Sequence, residues 1–150
     1  MQIQRELKKL PKSSSWKFDA YEDGCDIIAT GMATQWSDHV TSSGTPADNP
    51  KLYACALPTG RCAATSGSPF PKLPWYTVVR VWCHSTGKTI YCVLIDEGPS
   101  KRALAGTGKP GSAMIDLNHA AARALGVGTN QNTTVSIRIL RGSETVWKQA

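Results

Sequence analysis

The chain has 150 residues, with 17 Lys and Arg against 11 Asp and Glu, for a net charge of +6 with histidine neutral. That length suits one domain around a single core. Its composition is ordinary for a globular protein, and no apolar run reaches the length that spans a membrane. The charge favours a polyanion (nucleic acid, acidic membrane or an anionic cell-wall polymer). Apart from Lys8-Lys9, however, no run of Lys and Arg forms, which argues against a nucleic-acid stripe.

Met1 to Ser15 is polar and basic, is interrupted by Pro11, and reads as a short helix or a disordered arm. Its first ten residues lack the apolar centre of a signal peptide. Either the protein leaves the cytoplasm by another route, or the chain is an excised domain. Residues 1–26 are therefore taken as an arm, disordered or packed on the domain formed by 27–150. Ile27 to Trp36 is the first core strand, with Gly31 as a bend or bulge. The long Ser/Thr/Gly/Pro loop from Ser37 to Pro50 is of a length that is often functional. Tyr53 to Pro58 reads as a short strand, and the Pro-rich stretch from Thr59 to Trp75 as irregular.

Thr77 to Cys83 and Thr89 to Ile95 flank Ser85-Thr86-Gly87-Lys88 and make a β-hairpin. With Ser85 opposite Lys88, Trp82 faces Tyr91 as a packing pair. Asp96-Glu97-Gly98-Pro99 follows, then a basic loop to Ser112. Next come Ile115-Asp116-Leu117-Asn118 and a helix over His119 to Leu125, with Asn118 as its N-cap and Gly126 just past its end. Thr133 to Leu140 alternates with period two and is the last strong strand. Val146 and Trp147 add an edge strand or pack on the barrel. At least five strands, one firm helix and no βαβ alternation predict an all-β, closed or nearly closed barrel.

Five cysteines leave at least one without an intrachain partner. Cys55 and Cys62 are spaced to close a small loop. In the expected hairpin register Cys83 and Cys92 are diagonal, about 7 Å apart, which is too far for a disulfide. The pairing among Cys25, Cys55, Cys62, Cys83 and Cys92 stays open. The scattered His39, His84 and His119 and the absence of a CxxC pair predict no metal or other cofactor. Cys25 is a poor candidate nucleophile, because it leads into a β-branched run instead of opening a helix and has Asp23 and Asp26 beside it.

Val79-Arg80-Val81, Thr86-Gly87-Lys88, Val93-Leu94-Ile95-Asp96-Glu97-Gly98-Pro99 and Ile115-Asp116-Leu117-Asn118-His119-Ala120-Ala121 are followed by Leu125-Gly126 and the strand Val135 to Leu140. In that order they resemble the double-psi β-barrel family that includes rare lipoprotein A, bacterial expansins, barwin and a group of endoglucanases. The resemblance runs from Leu73 to Leu140, with a weaker match at Gly31 to Trp36. It implies a six-stranded double-psi β-barrel with one or two short helices and two acid-bearing segments side by side at a groove. It also implies a monomer outside the cytoplasm, acting on peptidoglycan or another cell-wall polysaccharide. Asp96 matches the catalytic acid of the lytic relatives. Asp116 matches the essential acid of the expansins and endoglucanases, and Thr34 falls near a groove threonine. The chain departs from the pattern in having Glu97 where Arg is usual and no His upstream of Leu57-Pro58 or Leu73-Pro74. His39 is the candidate replacement, from the first loop.

Glycosidic cleavage needs an acid on the leaving oxygen, and hydrolysis adds a second carboxylate. A lytic transglycosylase manages with one acid, since a hydroxyl of the substrate attacks in place of water. Asp96, its pKa raised by the apolar strand behind it and by Asp116 or Glu97, is the expected general acid. Asp116 orients substrate or tunes it, and Glu97 points to solvent. The plainer readings are a turn carboxylate accepting backbone N–H groups for Asp96 and a loop tie for Asp116. Trp36 and Trp75, beside loops, are the candidate sugar platforms. Two functions remain: peptidoglycan cleavage by a lytic transglycosylase, and a non-catalytic, expansin-like or barwin-like polysaccharide-binding module.

Overall fold

A computed structural model of the chain describes residues 6–145; Val146 and Trp147 lie outside them. The elements in order are β1 (Lys8–Lys9), β2 (Ala20–Asp23), β3 (Asp26–Trp36), β4 (Ala54–Leu57), β5 (Val78–Cys83), β6 (Thr89–Glu97), β7 (Ala113–Asn118), α1 (His119–Ala124) and β8 (Thr133–Leu140). Single 3-10 turns sit at Ala63–Thr65 and Ala105–Thr107. Strands β3, β7, β4, β6, β5 and β8 pair in that order, and β8 returns to β3, closing a six-stranded mixed barrel. Pairs β3–β7 and β4–β6 are parallel and the rest antiparallel. The expected all-β barrel is what the chain forms. Among the described residues no helix is long and apolar enough to cross a membrane.

Alternation explains which strand faces fill the barrel. Val79, Val81 and Cys83 of β5 and Val135, Ile137 and Ile139 of β8 are buried, and the residues between them look outward. β6 breaks the alternation because it is covered on both sides. Ile90, Cys92 and Leu94 enter the barrel core, while Val93 and Ile95 pack outside it against Ala47 and Ala54, beneath the loop after β3. A strand buried on both faces reads as a continuous apolar run.

Over its described part the N-terminal stretch forms a short strand and no helix. Lys8 and Lys9 pair with Glu22 and Tyr21, and β2 pairs with β3. Trp16 and Phe18 are buried in the barrel core, Trp16 Nε1 donating to Ser66 O at 3.0 Å. The apolar surface of these two rings, not helix propensity, decides where residues 10–20 lie.

The hairpin forms in a different register from the one expected. Cys83 N bonds Lys88 O, so the loop is His84 to Gly87; Trp82 stands opposite Thr89, and Arg80 opposite Tyr91. Trp82 and Tyr91 are diagonal neighbours, not a facing pair. Gly87, at φ +71°, takes the left-handed position that lets the four-residue loop close. Cys92 consequently lies opposite Val79, away from Cys83. All five cysteines are free, the Cys55–Cys62 loop included: Cys55 is buried in the core while Cys62 is exposed at a 3-10 turn.

Two bulges shape the strands that carry the acids. Between Cys55 and Ala56 the partner on β6 jumps from Leu94 to Asp96, so Ile95 is the extra residue. Between Met32 and Ala33 the partner on β7 jumps from Ala113 to Ile115, so Met114 is extra. Gly31 is the reason Met114 fits: a Cβ there would lie 3.0 Å from Met114 Cβ and 3.1 Å from its sulfur. The Gly31 irregularity expected in β3 is thus expressed across the sheet, in β7.

Candidate functional site

Ala56 at the centre of β4 has Asp96 as its partner on β6 and Asp116 as its partner on β7. Asp116 in turn has Thr34 as its partner on β3. Thr34, Asp116, Ala56 and Asp96 thus form one row across four adjacent strands. Their neighbours Ala33, Leu117 and Cys55 point into the core, so the row lies on the outer surface of the barrel. The bulge at Ile95 delivers Asp96 to this face. One strand separates the two acids, so their backbones stand about 9–10 Å apart. The floor between them is the methyl group of Ala56.

Asp116 is the perturbed member. Thr34 Oγ1 donates to Oδ1, and Gly98 passes so close that a Cβ on it would sit 3.5 Å from Oδ2. Burial pushes the Asp116 carboxyl up from 3.8 to about 6; the Thr34 bond opposes this, and the charges of Asp96 and Asp38 add to it. Asp96 lies at the edge of the first loop, where its Oδ1 accepts Ser42 N–H at 3.0 Å and Glu97 N–H at 2.8 Å. The raised acid is therefore Asp116, where the sequence pointed to Asp96.

The other candidates are distributed unevenly. Thr34 is in the row. Trp36, two residues further along β3 on the same face, is partly buried in the outer cluster under the first loop, its Nε1 buried without a partner among the described residues. His39 is exposed and turned to Asp48, 3.1 Å from Nδ1. Trp75 packs on the core with the Arg61 guanidinium 3.7 Å from its ring centroid, which covers one stacking face. Cys25 is exposed in the β2–β3 turn; its flanking Asp23 and Asp26 bond Arg138 at 2.6 and 3.2 Å.

Glu97 is not solvated, as the sequence reading had it. Its side chain is 6% exposed and accepts from Thr59 N (2.6 Å), Thr59 Oγ1 (2.5 Å), Thr65 Oγ1 (2.6 Å) and Arg61 N (3.3 Å). It pins the loop after β4 beside Asp96. The parallel pairing of Leu57 with Glu97 brings those donors together, a contact with no local signature.

Asn118 does more than cap. It is fully buried, its Oδ1 accepting Ala121 N–H (3.0 Å) and Ala54 N–H (3.1 Å) and its Nδ2 donating to Ala47 O (3.1 Å) and Leu52 O (2.7 Å). One side chain joins α1, β4 and the first loop, two residues from Asp116. Among the described residues no cluster of three His, Cys, Asp or Glu side chains gathers as a metal site. No known family model and no curated protein sequence matches this chain.

Proposed function

We propose that the row of Thr34, Asp116, Ala56 and Asp96 is a glycan-cleaving site, and that the protein acts on peptidoglycan strands as a lytic transglycosylase. The observation that carries this is Asp116: a buried carboxyl at about 6, facing a second carboxylate across an alanine floor. Such a group holds a proton in mildly acidic surroundings and can give it up in a transition state. The ordered motif resemblance to double-psi barrels supports the substrate class, and the net charge of +6 suits an anionic wall.

In the proposed step Asp116 protonates the leaving glycosidic oxygen as its bond to the anomeric carbon breaks. A hydroxyl of the same sugar attacks that carbon, its proton passing to Asp96, and an anhydro-sugar end results. Thr34 holds the Asp116 carboxyl in place. Exchange with water returns the proton from Asp96 to Asp116.

The second reading is a non-catalytic glycan-binding module. It is favoured by the engagement of Asp96 with two backbone N–H groups and of His39 with Asp48. Mass spectrometry of soluble products from purified peptidoglycan separates the readings. Anhydro-muropeptides from the unaltered protein, lost in Asp116→Asn and Asp96→Asn, support the enzyme. Reducing-end products mean hydrolysis, with one carboxylate directing water. No product from protein that still sediments with the wall leaves the binding module.

A further inference from the structure

A wide groove lies elsewhere. About 910 Å³ in volume, it crosses the outer faces of β5, β8 and β3, between β6, β2 and residues 17–19. By ring order its centre, β5 and β8, is on the opposite side of the barrel from β7 and β4. Strand registers give its floor as two rows. Tyr91, Arg80, Arg138, Ile28 and Tyr21 follow one another across five strands, and Thr89, Trp82, Ser136 and Thr30 lie beside them across four.

Trp82 is 43% and Tyr91 57% exposed, and with Leu7 at the rim they are three of the five exposed large hydrophobic residues among those described. Exposed apolar groups gathered in one groove mark a binding surface more often than a chance of composition. Polar groups run alongside. Thr30 Oγ1 and Ser136 Oγ are 2.8 Å apart, and His84 Nε2 reaches Ser136 Oγ at 2.7 Å while its ring lies 4.5 Å from that of Trp82. The charges are mostly settled in place: Arg138 bonds Asp23 and Asp26, and Asp19 pairs with Lys12 and Lys9. Arg80 is exposed, opposite Tyr91 and two residues before Trp82 on β5, and has no acid partner among the described residues.

We propose that this face is a second glycan-binding surface that takes an extended, carboxylate-bearing strand. It rests on the cell-wall reading only for the choice of polymer. Sugar rings present C–H faces that stack on aromatics. Trp82 and Tyr91 are diagonal neighbours, about 7–8 Å apart along the sheet, so one extended chain covers both where a single ring would not. The hydroxyl row matches sugar hydroxyls, and the Arg80 fork matches a carboxylate beside the stacked sugars. A single-stranded nucleic acid would also stack, but it needs a track of cations along its backbone. Here Arg138 is neutralised by Asp23 and Asp26, which leaves Arg80 and Lys17, the latter bonded to Ser14 O: two cations and no track.

The test is co-sedimentation with peptidoglycan sacculi freed of teichoic acid, beside single-stranded oligo-dT. Trp82→Ala, Tyr91→Ala and Arg80→Ala should each weaken retention about tenfold, while Tyr53→Ala, a ring as exposed as Trp82 that lines neither the groove nor the acid row, binds as the unaltered protein does. Thermal melting identifies any variant that has lost its fold; Tyr91 and Arg80, the more exposed, stand in if Trp82→Ala does. Unchanged retention in folded variants overturns the surface, and tighter binding to oligo-dT than to sacculi overturns its occupant. Cleavage of short soluble glycan fragments without retention on sacculi overturns the surface alone. Retention that depends on Trp82, with no product from any substrate, upholds the surface and overturns cleavage.

Discussion

Asp116 is a carboxyl whose surroundings oppose its ionisation. Folding raises its value from 3.8 to about 6, so the stability it supplies is full below its unfolded value and is lost as pH climbs through 6. Asp116→Asn cannot ionise and escapes that loss. From pH 4 to pH 8 the stability difference should move by about 2 kcal/mol in the variant's favour. Urea denaturation at both pH values measures it, and a difference independent of pH contradicts the assignment. Thr34→Val, which removes the opposing hydrogen bond, should raise the Asp116 titration midpoint further in a carboxyl-carbon NMR titration. Both acids were legible in the sequence as polar ends of apolar runs. Which one is buried was not, because the threonine that bonds Asp116 comes from 82 positions away, across a parallel pairing with no local signature. Glu97 was misread for a related reason: period-two alternation points it outward, and loop donors from β4 then enclose it.

Strands and caps follow local rules, and the sequence showed most of them. β3, β5, β6, β8 and the Asn118 cap all appear near their expected bounds. Register was harder. A four-residue loop in place of two moved Trp82 off Tyr91, and such a shift is decided by turn geometry and not by the apolar pattern alone. The bulges beside the acids depend on contacts between strands, and Gly31 is their clearest marker. Gly31→Ala should cost about 1–3 kcal/mol by forcing Met114 outward, read as a lower urea midpoint with an unchanged slope. Asn118→Ala removes four buried hydrogen bonds and should cost about 3 kcal/mol. Amide exchange should quicken at Ala54 and Ala121, which donate to Asn118; equal exchange there would deny the tie.

The molecule as a whole is held by its closed ring, with no disulfide among its cysteines. Cys25 and Cys62 are exposed, while Cys55, Cys83 and Cys92 are buried. A thiol reagent should therefore label the first two in the native protein and all five only after unfolding, and reductant should leave the melting temperature unchanged. A Tm that falls in reductant would show that a disulfide exists. The odd cysteine count warned of at least one free thiol. It had no way to show that Cys55 turns inward, because that depends on β4 lying between β6 and β7.

β6 belongs to both sides of the ring. It carries Tyr91 at the groove and Asp96 in the acid row, five positions along one continuous strand, or roughly 17 Å. β4 and β5 clamp it from either side. A pull along β6 therefore meets ladders on both flanks loaded in shear, where the bonds must fail together, whereas a pull across it would unzip them singly. Anchored by Tyr91 to a polymer under tension, the barrel would act as a stiff link with its acids held in register. Force spectroscopy with handles at the two ends of β6 should give a higher rupture force than handles placed across β6 and β5.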